Sequence, residues 1–154
     1  MITALMNAAR PTRESPEDLR RVVGERRLIE LSLEAAQIVG EGLPRPERIV
    51  EDQPGSRTLL TLLTYCYAAG IYASEDIEWA CESDAAARYI CAKTWPDHDA
   101  LRCFRRANRP WVEACLGWVY GKACPTALAS SELAALVRQK LELAIMVDTA
   151  TADC

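Results

Sequence analysis

The 154-residue chain has a single histidine, His98, which excludes catalytic and metal schemes built on several imidazoles. It has no Cys-x-x-Cys pair: its seven cysteines, at 66, 81, 91, 103, 115, 124 and 154, are widely spaced and odd in number. That pattern supports neither a zinc knuckle nor a fully paired disulfide framework, and it reads as mostly buried free thiols in a reducing compartment. Cys91, His98 and Cys103 lack a fourth metal ligand, and no third group orients a cysteine–His98 pair for catalysis. No apolar stretch reaches the roughly 20 residues that span a bilayer; the least polar run, Leu59 to Tyr72, contains threonines and ends near Gly70. The N-terminal residues lack the basic start of a secretion signal. A cytoplasmic protein without membrane partners or cofactors is therefore expected.

A basic excess is also missing. Eighteen basic and 22 acidic residues give a net charge of −4, so any contact with nucleic acid has to be local. The acidity lies at the ends: residues 57–109 carry seven bases and seven acids. Three segments follow from the punctuation: an N-terminal helical segment and linker (1–56), a helical core (57–109) and a C-terminal helical segment (110–154) that forms one structural unit with the core.

Half of the residues are hydrophobic, and their periodicity is helical. Ser15-Pro16-Glu17-Asp18 opens a helix that runs through Leu19, Leu28, Leu31 and Ile38 and stops at Gly40 and Gly42. Pro-rich punctuation at Leu43–Glu47 and Gln53–Ser56 precedes Arg57–Gly70, apolar enough for a central core helix with Gly70 as its stop. Ser74 is the expected cap of a helix carrying Ile77, Trp79 and Cys81 inward, and Asp84 caps the next, Ala85 to Ala92. Lys93–Asp97 breaks the chain at Pro96, and Asp97 caps another helix. After Pro110, Trp111 to Tyr120 makes a further helix, closed by Gly121 and Pro125. A last one begins at Ser130 or Ser131 and presents Leu133, Leu136, Val137, Leu141, Ala144 and Ile145, either to the core or to a partner. The four tryptophans, 79, 95, 111 and 118, are expected in the core. No period-2 strand is visible, so the fold class is all-α, a compact multi-helix domain with a helix-turn-helix-like pair.

The helix after Asp97 carries the candidate site. At about 100° per residue, His98, Arg102, Arg105 and Arg109 fall within about 60° of one another, with Arg106 beside them and Leu101 and Phe104 opposite. Arginine forks suit phosphates and guanine edges, so these five residues are the candidate DNA contacts. The competing reading is a helix face with local salt bridges to Asp97, Asp99 or Glu113, with His98 packed beside the cap.

Leu59–Gly70, Ile71–Glu78 with Ser74, Ala86–Ile90 with Arg88 and Tyr89, and Trp95–Arg106, which joins Pro-Asp-His to Phe-Arg-Arg, resemble a known family in order and spacing. They are similar to the helical N-terminal domain of InsH-type bacterial insertion-sequence transposases. The resemblance covers roughly residues 50 to 110. It implies a DNA-binding or end-recognition module which, in full transposases, precedes an RNase-H-like domain holding metal ions with three acids. Residues 110–154 read as helices, and Asp148 and Asp153 lack the strand context of a catalytic acid, so no catalysis is expected of this chain. It would be a truncated transposase or a regulator of transposition. The alternative is a helical interaction module that self-associates or binds a transposase partner without touching DNA.

Overall fold

The computed structural model describes residues 18–42, 54–124 and 130–151. The expected features at Ser15–Glu17, Leu43–Glu47, Pro125, Asp153 and Cys154 lie outside the described residues. Among the described residues there are eight α-helices and no strands: α1 (Arg20–Val23), α2 (Glu25–Val39), α3 (Ser56–Ala68), α4 (Ser74–Ser83), α5 (Ala85–Cys91), α6 (His98–Ala107), α7 (Arg109–Ala123) and α8 (Ser130–Thr151). The all-α expectation holds.

The central helix is α3, as its composition predicts. Every residue from Leu60 to Ala68 is buried. Its two inward threonines satisfy their hydroxyls locally, Thr61 donating to the Arg57 carbonyl (2.8 Å) and Thr64 to that of Leu60 (2.7 Å), so the polar groups do not interrupt the core. Gly70 stops α3 through a Schellman motif. The Ile71 N–H donates to the Cys66 carbonyl (2.8 Å) and the Gly70 N–H to that of Tyr67 (3.2 Å), with Gly70 at φ 86°.

Around α3 pack α2, α7, α5, α6 and, more lightly, α8. One core joins Leu28 and Leu31 of α2, Leu62 and Leu63 of α3, Leu116 and Tyr120 of α7, and Leu141 of α8. Each fully buried leucine of this kind contributes about 1.5–3 kcal/mol relative to exposure. Helices drawn from all three sequence segments therefore share a single core. The apolar stripe of α8 is part of it, with Leu136, Val137, Leu141 and Ala144 buried and α7 alongside.

Three expectations need correction. The first helix is divided at Gly24, whose φ of 91° ends α1 before α2 begins; hydrophobic spacing continues across the break and conceals it. Ser74 is the first residue of α4 and not its cap, which is Ala73. Trp79 (66% exposed) and Trp95 (57%) lie outside the core, as does Tyr89 (68%), whereas Trp111 and Trp118 pack partly against it. Trp79 falls on the outer side of a helix whose inner side is filled by Ile77, Ala80 and Cys81.

Candidate nucleic-acid interface

Helix α6 is positioned by carboxylates at its start. Asp97 accepts the Ala100 N–H (2.7 Å), as its place before the helix predicts. Glu78 of α4 adds a second contact from outside: its Oε1 accepts the His98 N–H (3.0 Å) and lies 2.8 Å from His98 Nδ1. The hydrogen bond to Glu78 outweighs partial desolvation and raises the His98 imidazole above its ordinary range, with Asp99 adding to the effect.

Farther along, Arg102 is tied down from two sides. Its Nη2 donates to Glu75 Oε2 of α4 (2.6 Å) and its Nη1 to Asp99 (3.3 Å). Partial burial works against the charge of Arg102, but the carboxylates of Glu75, Asp148 and Asp99 more than offset it and hold the guanidinium above its ordinary range.

Arg105 is buried, at 7% exposure. Its Nη1 donates to Asp148 Oδ2 of α8 (2.6 Å) and to the Tyr67 hydroxyl of α3 (3.1 Å). Burial disfavours the charged form of Arg105, and contact with Tyr67 and Asp148 more than compensates. Tyr67 itself is pushed up to about 12, chiefly by burial, and stays a neutral phenol. Asp148 also takes up the start of α4: Oδ1 accepts the Ser74 N–H and Oδ2 the Ser74 hydroxyl, both at 2.8 Å. A residue distant in sequence thus does the work expected of a local cap, and the carboxylate lies at the positive end of the α4 dipole.

Arg106 and Arg109 are different. Arg106 is exposed and forms no ion pair with a carboxylate among the described residues. Arg109 is half-exposed, and its Nε donates to Glu113 Oε2 one turn on (3.1 Å). Arg102, Arg105, Arg106 and Arg109 nevertheless all line one cleft of about 600 Å³ between α6 and α8, together with Asp99, Asp148, Cys103, Ile145 and Thr149. His98 is not among the lining residues. The row of five read from the wheel therefore divides: His98 faces α4, Arg105 is in the core, Arg102 bridges α4 and the cleft, and exposed Arg106 and half-exposed Arg109 border the cleft.

Glu75, Glu78, Tyr67 and Asp148 are the partners that reading α6 alone does not supply. One signal was present: Arg105 lies only about 40° from Leu101 on the wheel, close to the buried side. Among the described residues no group of three or more histidines, cysteines and carboxylates is placed to hold a metal, and no helix is long and apolar enough to cross a membrane. Comparisons with protein-family models, with curated proteins and with solved structures find no match to this chain.

Proposed function

We propose that this chain is a DNA-binding module of the transposase N-terminal type, acting by binding and without catalysis of its own, and that it meets the DNA backbone at the α6–α8 cleft. The observation that carries this reading is the convergence of four arginines on that one cleft. Their roles differ. Arg105 and Arg102 hold the frame through Asp148 and Glu75. Arg106 and Arg109 present charge to a phosphate. The Arg109–Glu113 pair is a half-exposed pair within one helix, worth about 0–1 kcal/mol, so a phosphate displaces Glu113 at little cost. With a net charge of −4, binding rests on few contacts and weakens as salt rises.

A second reading has its own observations: a helical protein-interaction module with no DNA contact. It is favoured by the carboxylate partners of Arg102, Arg105 and Arg109, which neutralise most of the basic row, and by exposed Trp79, Tyr89 and Trp95. A gel-shift assay run beside light scattering separates the two. A shift with duplex DNA from a protein that remains a monomer supports the first reading; stable self-association with no shift on any DNA supports the second.

A further inference from the structure

The helices α4 and α5 follow one another with only Asp84 between them, and their inner faces carry buried Ala80, Ala86 and Ala87. Such small side chains allow close approach. Across this contact Cys81 Sγ lies 3.4 Å from Cys91 Sγ, and both residues are buried. No other thiol pair within hydrogen-bond distance is found among the described residues. An S–S bond would draw the two sulfurs from this separation to about 2.05 Å.

We propose that Cys81 and Cys91 are a dithiol–disulfide pair, oxidised by hydrogen peroxide and restored by a dithiol reductant, that ties α4 to α5. The peroxide is small enough to enter where Cys91 ends α5, next to the exposed Ala92 and Lys93. Cys91, at the exposed end of α5, is the thiol that peroxide meets first and is the attacking thiolate, and its contact with the Cys81 sulfur lowers it from the ordinary thiol range. Its sulfur takes one peroxide oxygen; the O–O bond breaks, one water leaves after protonation, and Cys91 becomes a sulfenic acid. The Cys81 sulfur then attacks the Cys91 sulfur, the S–O bond breaks, and the departing hydroxide takes the Cys81 proton as a second water. Two thiols and one peroxide give one disulfide and two waters. Cys66 lies fully buried nearby, and burial pushes its thiol well up, which keeps it protonated and out of the reaction.

The test uses the full chain carrying Cys103→Ser, which removes the exposed thiol among the described residues. After treatment with hydrogen peroxide in the folded state, the protein is unfolded, alkylated and digested without reduction by trypsin and a glutamate-specific protease. Those cuts place Cys66, Cys81 and Cys91 on separate peptides. The expected product joins the Trp79–Glu82 peptide to the Tyr89–Lys93 peptide, disappears after dithiothreitol, and accompanies a higher urea midpoint. Recovery of Cys81 and Cys91 as alkylated thiols, or a bridge from either to Cys66, overturns the proposal. The variant Cys91→Ala is expected to show no peroxide-dependent change in midpoint; should it not fold, the peptide map decides alone.

Discussion

Asp148 of α8 accepts a 2.6 Å hydrogen bond from Arg105 of α6 while the same carboxylate takes up the Ser74 amide at the start of α4. Three helices distant in sequence are thereby joined at one buried charge pair. A pair of this kind costs a large desolvation, and its geometry has to be complete for the charges to be tolerated. Removing one partner leaves the other charge unanswered. We expect Asp148→Asn to lower stability by about 3–5 kcal/mol, and Arg106→Ala, on the exposed side of the same helix, to change it by less than about 0.5 kcal/mol. Urea unfolding of the two variants checks this. Equal, small losses would show that Arg105 and Asp148 do not organise the fold.

His98 ties the start of α6 to Glu78. Its pKa is raised in the folded protein, so the folded form holds the proton more tightly than the unfolded chain. The stabilisation is fully present below the ordinary histidine value of 6.5 and is lost as the pH rises through the folded value. The difference in urea midpoint between the wild type and His98→Gln should accordingly be larger at about pH 5.5 than at about pH 8. A difference that grows with pH has the wrong sign.

Two backbone positions give opposite expectations. Ala92 follows α5 at φ 55°, a region that disfavours a side chain, whereas Gly24 occupies φ 91° between α1 and α2. Ala92→Gly should raise stability by about 1 kcal/mol, and Gly24→Ala should lower it by about the same amount. A Cβ on Gly24 meets no heavy atom within 4 Å, so that loss comes from the backbone and not from a clash. Thermal unfolding of the two variants measures both; a stabilised Gly24→Ala contradicts the reading of the break.

Local chemistry made much of this fold legible in the sequence. Asp84 and Asp97 cap α5 and α6 as their positions suggest, and Gly70 ends α3 because a left-handed residue is needed there. The basic row was legible as a row. Its surroundings were not, because a helical wheel separates polar from apolar positions but does not say whether the polar side meets water or the carboxylates of another helix. Glu75, Glu78 and Asp148 reach α6 from α4 and α8. Trp79 misled for a related reason: periodicity places an aromatic on a helix, while exposure depends on which faces the neighbours cover.

The exposed aromatics are also a test of stability. Trp79→Ala and Tyr89→Ala remove large side chains that stand in solvent, so each should change stability by less than about 0.5 kcal/mol. Tyr67→Phe, which removes the buried hydroxyl that accepts from Arg105, should lower it by about 1–3 kcal/mol. Denaturant midpoints for the three variants make the comparison. A large loss at Trp79 would mean that the residue is covered.

The most direct measurement of the proposed function is the salt dependence of duplex DNA affinity, followed by fluorescence anisotropy between about 50 and 200 mM salt. The wild type should bind, with log affinity falling linearly against log salt, and Arg106→Ala combined with Arg109→Ala should reduce that slope by about 2 without unfolding the protein. An unchanged affinity and slope in the double variant, or no binding by the wild type at the lowest salt, would contradict the assignment of the α6–α8 cleft to DNA.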